Sequence, residues 1–351
     1  MSLYTNELYI EDIEKVARAS LPWEKLHDKA ILLSGATGLL GSFLIDVLMH
    51  KNTEGLNCKV YALGRTQRKA EERFSKWWGL NQLLFLKYDI NHSFVRDDLG
   101  TTDYVIHLAS NTHPVQYATD PIGTITTNII GLQNMLDFAI EHKATRFAFA
   151  SSNEIYGENR GDVELFDEEY CGYIDSNTLR AGYPESKRCG EALCQAYKSQ
   201  KDLDIVIPRF TRSYGPTMLF SDTKAISQFI RKGIVGEDIV LKSAGAQNYS
   251  YTYMADAIYG LLTIILCGKN GEAYNIADEE SNITLKDLAT IIANHAKKQI
   301  VFEIPDAVEA AGYSKATKAL LDGSKLKKLG WKPFYKIQEG IPRTIDILKE
   351  I

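Results

Sequence analysis

A glycine turn between an apolar run and a helical segment restricts the fold of this chain more than any other feature. The apolar run Ala30 to Leu33 leads into Ser34-Gly35-Ala36-Thr37-Gly38-Leu39-Leu40-Gly41, and an amphipathic segment follows. A strand, a glycine turn and a helix in this order are the context of a dinucleotide-binding fingerprint. Gly35 and Gly38 allow the backbone to turn and to approach a pyrophosphate, and Gly41 allows close packing of helix and strand. The predicted cofactor-binding residues of this turn are Gly35, Thr37, Gly38, Leu39, Leu40 and Gly41.

This turn opens a series of alternating strands and helices. The later strands are predicted at Lys59 to Leu63, Leu83 to Tyr88, Tyr104 to Ser110, Arg146 to Ala150 and Leu203 to Pro208. Such alternation predicts an α/β fold with a doubly wound parallel sheet, the Rossmann fold. The alternation stops at Arg209 to Pro216, which has the composition of a turn-rich loop. Further on, Tyr249 to Cys267 has the pattern of a strand and a helix that return to the sheet.

These patterns predict two lobes. Residues 1–208 form a dinucleotide-binding domain that begins with a helical arm, and residues 250–275 return to it. Residues 209–249 and 276–351 form a smaller α/β C-terminal lobe, which closes over the cofactor and selects the substrate. A chain of 351 residues is long enough to bury a substantial core in such an arrangement.

Composition narrows the classes of function. The net charge of −5 argues against nucleic acid or an anionic membrane as the main partner, and the longest mainly apolar run, Leu261 to Cys267, is too short to cross a bilayer. The first residues lack the basic and apolar regions of a signal peptide. The five cysteines and seven histidines lack metal-site spacing, so no metal is expected. A reducing cytoplasm is the expected compartment.

The end of the second strand bears on the choice of cofactor. An acidic residue normally lies there to bind the ribose of NAD, whereas an arginine accommodates the 2′-phosphate of NADP. This chain has Gly64-Arg65 and no acidic residue, which favours NADP. Alternatively, Arg65 stacks on adenine or points into solvent. Asp89 and Ile90, at the end of the third strand, are placed where an adenine is met.

A serine and a tyrosine–lysine pair are the candidate catalytic groups. Ser152 follows the fifth strand, and ligands bind at the carboxyl ends of strands in open α/β sheets. Tyr183 and Lys187 are four residues apart on a segment that has Pro184 in its first turn, so they share one helix face. A nearby ammonium lowers a phenol pKa, and the phenolate can then take a proton from a substrate hydroxyl held by Ser152. The spacing alone is weak support, because Tyr197 and Lys201 repeat it.

Taken together, these motifs resemble the extended short-chain dehydrogenase/reductases of the NAD-dependent epimerase/dehydratase family. The resemblance rests on the glycine turn, on His107-Leu108-Ala109-Ser110, on Ser152 with Tyr183 and Lys187, and on Tyr214-Gly215-Pro216. It implies that NAD or NADP is also contacted by Leu108, Ala109, Ser110, Ala150, Tyr183 and Lys187. It further implies a homodimer paired through Ile125 to Glu141 and Glu185 to Lys198.

Within that family the chain is most similar to the UDP-glucuronate decarboxylases, through Tyr117, through Ser152 to Gly157 and through Arg180-Ala181-Gly182-Tyr183. The resemblance implies oxidation of a UDP-hexuronic acid at C4, loss of carbon dioxide from the β-keto acid, and return of the hydride. Tyr183 is then the base, and Lys187 lowers its pKa. Glu154 positions the ring or handles the C5 proton. The implied substrate-binding residues are Tyr117, Ser152, Asn153, Arg212, Gln247 and Tyr249.

Three positions depart from this pattern: Gly64-Arg65, Arg212 in place of an asparagine, and Tyr249 in place of an arginine that grips the nucleotide diphosphate. We expect Arg212 to supply the charge that Tyr249 lacks. The alternatives are an epimerase, a 4,6-dehydratase or an NADPH-dependent reductase of another nucleotide-linked sugar. The remaining alternative is a non-catalytic dinucleotide-binding sensor. The intact set of Ser152, Tyr183 and Lys187 argues against it.

Overall fold

The computed structural model of the protein describes residues 2–93, 96–303, 305 and 317–351. Its α-helices are α1 (Glu7–Ala17), α2 (Leu39–Thr53), α3 (Gln67–Arg73), α4 (Pro114–Thr119), α5 (Pro121–Glu141), α6 (Gly182–Lys201), α7 (Ala225–Val235), α8 (Met254–Cys267), α9 (Leu285–Ala296), α10 (Ser324–Lys327) and α11 (Ile337–Glu350). Its strands are β1 (Ala30–Ser34), β2 (Lys59–Gly64), β3 (Leu83–Lys87), β4 (Tyr104–His107), β5 (Arg146–Phe149), β6 (Ser151–Ser152), β7 (Ile205–Phe210), β8 (Arg212–Tyr214), β9 (Ile239–Leu241), β10 (Asn248–Tyr253), β11 (Ala273–Ile276), β12 (Asn282–Thr284), β13 (Ile300–Phe302) and β14 (Lys318–Ala319).

A parallel sheet forms the centre of the described structure. Its strand order is β11-β7-β5-β4-β1-β2-β3, and the short strand β6 also pairs with β7. Strand β1 lies between β2 and β4, so the chain runs outward from β1 in both directions. The predicted doubly wound parallel sheet is therefore confirmed. The order reverses at β1, and the carboxyl ends of β1 and β4 border the crevice where such sheets bind ligands.

Both faces of the sheet are buried, which explains why its strands are continuous apolar runs. On one face, Leu32 of β1 and Phe149 of β5 pack in a core with Leu132 of α5. On the other face, Ile31 and Leu33 pack in a second core that includes residues of α1, α2 and α8. None of the helices in the described ranges combines the length and apolarity needed to cross a membrane.

A second, smaller sheet corrects two sequence-based expectations. The predicted loop Arg209 to Pro216 is instead the end of β7 followed by β8, which pairs in parallel with β10. Strand β10 also pairs with β12 and β14, so it belongs to this sheet and does not return to the large one. Of the segment 250–275 that was predicted to return to the large sheet, only α8 and β11 do so, and β11 pairs with β7. The residue pattern identified β10 as a strand, but a strand's pattern does not specify its partner.

A buried charged cluster fixes the N-terminal arm to the sheet's covering helices. Asp46 of α2 is fully buried and accepts hydrogen bonds from Tyr9 Oη at 2.5 Å and Trp77 Nε1 at 2.8 Å. Arg73 Nη2 donates to the same carboxylate at 2.5 Å, and Tyr4 Oη donates at 3.0 Å. The arm therefore packs on the nucleotide-binding half through one fully hydrogen-bonded carboxylate.

We expect Asp46→Ala to lower the free energy of unfolding by about 3–5 kcal/mol, because it leaves Arg73 buried without its counter-charge. Urea unfolding followed by circular dichroism measures this. The control is Glu14→Ala, which removes an exposed i,i+4 partner of Arg18 and should cost about 0.5 kcal/mol or less. Equal losses in the two variants would contradict this account of the arm.

Candidate active site

The glycine turn lies against the end of β4. Gly35 has a φ of +74°, and a Cβ there would lie 2.8 Å from the Ala109 nitrogen and 2.8 Å from the Leu108 carbonyl carbon. A Cβ on Gly41 would lie 2.3 Å from the Gly35 oxygen. Both positions therefore require glycine, as the fingerprint predicts. The turn brings Leu108 and Ala109 beside the start of α2.

The turn has the features of a pyrophosphate site. Gly38 caps α2, whose first turn contains Leu39, Leu40 and Gly41. The N–H groups at the start of a helix have no intrahelical partner and carry the positive end of the helix dipole. The narrow backbone cradle and these N–H groups fit the dinucleotide that the sequence predicts. Thr37 precedes the cap and is half-buried.

The residues that the sequence predicts to contact the adenosine of the cofactor follow the ends of β2 and β3. Arg65 is exposed immediately after β2 ends at Gly64. Asp89 is half-buried and accepts a hydrogen bond from the Asn91 nitrogen at 3.0 Å. The Ile90 side chain is buried against α5, where a Cβ on Gly131 would lie 2.7 Å from its Cδ1. Contacts of these residues with a cofactor stay predictions.

The three predicted catalytic groups come together at the carboxyl end of the sheet. Strand β6 carries Ser152, and the first two turns of α6 carry Tyr183 and Lys187. All three side chains are buried, and the polar interaction with Ser152 acts to lower the Tyr183 pKa against the larger effect of burial. Lys187 Nζ donates to the Ala150 oxygen at 2.8 Å and lies 6.0 Å from the centre of the Tyr183 ring.

The electrostatics of this group differ from the sequence-based expectation. Burial raises the pKa of Tyr183, and the negative charge of Glu154 raises it further. Burial lowers the pKa of Lys187 to about 7. The expected lowering of the Tyr183 pKa by Lys187 is therefore not found, because the ammonium is bonded to the Ala150 carbonyl and desolvation dominates both groups.

Aromatic and cationic side chains form one wall of the site. The Tyr117 ring stacks on the Tyr183 ring with centres 4.8 Å apart, and the Arg180 guanidinium lies 4.8 Å from the centre of the Tyr117 ring. Arg180 Nη2 donates to both carboxylate oxygens of Glu154, at 2.8 and 2.7 Å. Glu154 is thus held by an arginine to which the sequence analysis assigned no role. The sequence signal that could have identified Arg180 is its position three residues before Tyr183.

A second guanidinium, that of Arg212, lines a cavity that Arg180 and Glu154 also border. The lining includes Asn153, Glu154, Arg180 and Arg212. The Arg212 guanidinium carbon lies 3.5 Å from the centre of the Tyr249 ring. Its Nη1 is buried and has no hydrogen-bond partner within the described residues, and the same holds for Arg180 Nε. The structure thus brings Arg212 and Tyr249 together, as their joint departure from the family pattern predicts.

Two buried polar residues that the sequence analysis passed over connect the cofactor side to α6. Ser110 Oγ donates to Asn128 Oδ1 at 2.7 Å, and Asn128 Nδ2 donates to Ser186 Oγ at 2.9 Å. Ser186 Oγ in turn donates to the Tyr183 carbonyl oxygen at 2.8 Å. By contrast, Gln247 accepts a hydrogen bond from Ser243 Oγ at 3.3 Å and is not part of the cavity wall described above.

A doubly wound sheet, a glycine turn at its switch point and a buried serine, tyrosine and lysine define a class of dinucleotide-dependent α/β enzymes. The family comparison is specific: residues 31–277 match the NAD dependent epimerase/dehydratase family. The chain belongs to this family, and the resemblance drawn from its motifs is confirmed. Among the described residues, no group of three or more histidine, cysteine, aspartate or glutamate side chains is arranged to hold a metal ion.

Individual relatives and structures agree with this assignment. The chain is 30% identical over 325 residues to UDP-glucuronic acid decarboxylase 1 of Xenopus tropicalis, covering 92% of this chain and 72% of the relative. It is 30% identical over 314 residues to UDP-glucuronic acid decarboxylase 3 of Arabidopsis thaliana, covering 89% and 86%. The crystal structure of UDP-glucuronic acid 4-epimerase from Bacillus cereus has a TM-score of 0.78 at 23% identity, covering 92% of this chain and 99% of that one. A dTDP-glucose 4,6-dehydratase from Streptomyces venezuelae also has a TM-score of 0.78, at 22% identity, covering 92% and 97%.

We expect Gly35→Ala to abolish dinucleotide binding, because a Cβ there collides with the backbone at Leu108 and Ala109. Calorimetric titration with NAD and with NADP measures the effect. The matched control is Gly55→Ala, since Gly55 also has a positive φ, of +95°, but a Cβ there would meet nothing within 4 Å. Gly55→Ala therefore introduces backbone strain at a positive φ, as Gly35→Ala does, but no steric collision. If the two variants bound cofactor equally well, the close approach would not be what the site requires.

Proposed function

We propose that this protein is an NAD(P)-dependent decarboxylase of a UDP-linked hexuronic acid, with UDP-glucuronate as the first candidate substrate. The names of the two relatives above point to this reaction. The observation that carries the proposal is the pair of guanidinium groups in the cavity beside Ser152. Arg180 already neutralises Glu154, and Arg212 adds a further positive charge with a buried, unbonded nitrogen. An acidic ligand satisfies such groups better than a neutral sugar.

Two further acidic residues line the cavity and reduce its net positive charge. Glu158 and Asp175 both belong to the lining, but both are exposed. Solvent and salt screen exposed charges much more than buried ones. Because Arg180 is already paired with Glu154, the surplus positive charge in the inner part of the cavity is that of Arg212, whose Nη1 is buried and unbonded.

The reaction requires a proton acceptor and an oriented hydroxyl. A bound nicotinamide dinucleotide supplies a reversible hydride acceptor. Tyr183 and Ser152, which lie next to each other at the carboxyl end of the sheet, both bind one substrate hydroxyl, and the Tyr183 phenolate takes its proton. The C4 ketone of a uronic acid then makes the C5 carboxylate a good leaving group, because the ketone delocalises the electron pair left on C5. Carbon dioxide leaves, a proton replaces it at C5, and the return of the hydride to C4 with a proton from Tyr183 to the C4 oxygen leaves no net change in the cofactor.

The neighbours of Glu154 favour decarboxylation over dehydration. Dehydration at C6 requires an acid to protonate the departing hydroxyl, and the cavity residue next to Glu154 is Asn153, whose amide is not an acid. Both oxygens of Glu154 are also occupied by Arg180. Decarboxylation needs no base at C5, so this arrangement is compatible with it.

A second candidate function is a net reductase of a nucleotide-linked keto sugar that consumes NADPH. The exposed Arg65 at the end of β2, with no acidic residue from Gly64 to Lys69, favours a 2′-phosphate there. In both functions, residues 209–249 and 276–351 select the sugar, and residues 1–208 hold the cofactor.

The direct test is incubation of the purified protein with UDP-glucuronate, separately with NAD and with NADP, followed by mass spectrometry of the product. We expect a product that has lost carbon dioxide, without net reduction of the cofactor. Unreacted UDP-glucuronate, together with NADPH consumption in the presence of a nucleotide-linked keto sugar, would overturn the decarboxylase and support the reductase.

Tyr183→Phe is the control for the chemistry, and it should abolish turnover while leaving cofactor affinity unchanged. Because burial raises the pKa of Tyr183, the phenolate is the minor form at neutral pH. Wild-type turnover should therefore rise with pH, without reaching a plateau near neutrality, as the phenolate fraction increases. Unaltered turnover in the phenylalanine variant would remove Tyr183 as the base.

Arg212→Ala should raise the KM for UDP-glucuronate about tenfold or more, because a charged hydrogen bond to the substrate is worth about 1.5–3 kcal/mol. Arg212→Lys keeps the charge but loses the planar stack on Tyr249, so an intermediate KM is expected. Arg18→Ala, in an exposed pair on α1, is the control. If KM and turnover of Arg212→Ala equal those of the control, Arg212 does not hold the substrate.

The same proposal includes a cytoplasmic homodimer paired through α5 and α6. Three isoleucines of α5, Ile122, Ile125 and Ile130, have exposed fractions of 74%, 38% and 44%. Apolar side chains at this exposure on one helix are suited to covering by a second copy. A monomer in sedimentation at micromolar concentration would remove the dimer from the proposal.

A further inference from the structure

Behind the reactive side chains lies a buried ion pair that the mechanism above does not use. Arg209 of β7 is 8% exposed, and its guanidinium binds Glu191 of α6 in a fork. Arg209 Nε donates to Glu191 Oε1 at 2.9 Å, and Arg209 Nη2 donates to Glu191 Oε2 at 2.7 Å. Such two-point pairs fix the relative position of both side chains more strictly than a single contact.

The Glu191 carboxylate connects this pair to the reactive residues. Ser151 Oγ donates to Glu191 Oε1 at 2.5 Å, and Ser151 immediately precedes Ser152 on β6. On α6, Glu191 follows Lys187 by four residues, which places it one helical turn further along the same face. One carboxylate therefore joins the strand that carries Ser152 to the helix that carries Tyr183 and Lys187.

The Arg209 guanidinium extends the connection to Glu154. Arg209 Nη1 donates to Tyr156 Oη at 2.9 Å and to the Glu168 carbonyl oxygen at 2.7 Å. Tyr156 closes the short 3-10 turn Asn153–Tyr156, which contains Glu154, and its hydroxyl donates to Asn275 Oδ1 at 2.6 Å. The ion pair thus contacts every element that carries a predicted catalytic residue.

We propose that Glu191 is a positioning residue for the reaction: held by Arg209 and Ser151, its carboxylate keeps Ser152, the Glu154 turn and α6 in one arrangement and offsets the Arg209 charge one helical turn from Lys187. For its effect on turnover the inference rests on the proposed function. For its effect on cofactor binding it does not, because that effect is measured without turnover.

Among the charged groups around Lys187, the carboxylate of Glu191 offsets the positive charge of Arg209, so that replacing Glu191 with a neutral residue leaves Lys187 near an uncompensated guanidinium. Tyr183 and Cys194 face Lys187 from α6, and burial raises the pKa of both, so both are neutral. His107 faces it from β4 and is neutral as well, because burial and the Lys187 charge lower its pKa to about 3. Burial lowers the pKa of Lys187, and Cys194 and then Glu191 oppose that effect. Glu191→Gln should therefore make Lys187 lose its proton at lower pH.

The test compares Glu191→Gln with Asp204→Asn. Asp204 receives the same kind of two-point bond from Arg146, at 2.8 and 3.0 Å, at the opposite end of β5 and β7. Both variants remove one carboxylate charge from a largely buried pair, so both should lower the melting temperature. Only Glu191→Gln should lower kcat, by about 10- to 100-fold with KM nearly unchanged, since small misplacements of reacting groups act on kcat.

A second measurement separates this inference from the proposed function. The affinity for the preferred dinucleotide, NAD or NADP, is titrated by calorimetry from pH 6 to pH 9 in each protein. We expect the affinity of Glu191→Gln to decline at lower pH than that of the wild type and of Asp204→Asn. Such a shift with no decarboxylation by the wild type would retain the electrostatic part of the inference and reject the substrate.

A third variant covers the case in which Glu191→Gln does not fold. Ser151→Ala removes only the hydroxyl that joins β6 to Glu191, and it should lower kcat less than Glu191→Gln while leaving the pH dependence of cofactor affinity unchanged. The inference is overturned if Glu191→Gln, or Ser151→Ala in its place, has the kcat of Asp204→Asn once the folded fractions are matched. An unchanged pH dependence of cofactor affinity in Glu191→Gln overturns the electrostatic part.

Discussion

The close contact between the two ends of the glycine turn determines where the rest of the site can lie. Because no Cβ separates Gly41 from the Gly35 oxygen, α2 begins directly at the carboxyl end of β1. The same lack of a side chain at Gly35 lets the turn touch Leu108 and Ala109 after β4. The positive end of α2, the switch point of the sheet and the end of β4 therefore meet in one crevice, and β6 and α6 bring Ser152, Tyr183 and Lys187 to its border.

Burial is the second constraint, and it shapes the charges of the site. A lysine and a tyrosine that are both buried lose the hydration that stabilises their ionised forms, so the Lys187 pKa falls to about 7 and the Tyr183 pKa rises. The polar contacts around them follow from this loss. The Ala150 carbonyl oxygen accepts a hydrogen bond from the Lys187 ammonium, and the Glu154 carboxylate accepts one from Arg180. The acidic sugar of the proposed function would enter a cavity whose inner charges are already arranged.

The sequence was informative where local chemistry decides the structure. The glycine turn, the apolar strands and the helix start at Tyr183 all follow from residue types at short range, and the observed sheet confirms the predicted doubly wound parallel arrangement. Contacts between segments that are distant in sequence were harder to predict. Whether β10 joins the large or the small sheet depends on β8, β12 and β14, which are distant in sequence. Likewise, the distance from Lys187 to the Tyr183 ring depends on the Ala150 carbonyl, which the four-residue spacing does not reveal.

The central claim is that the C5 carboxylate of an acidic nucleotide sugar leaves as carbon dioxide and is replaced by a solvent proton. The most direct measurement is the conversion of UDP-glucuronate in deuterium oxide, with the product analysed by mass spectrometry and NMR. The account predicts a decarboxylated sugar that carries one deuterium at C5. A product that retains its carboxylate, with an inverted C4 and no deuterium, would contradict the account and identify an epimerase.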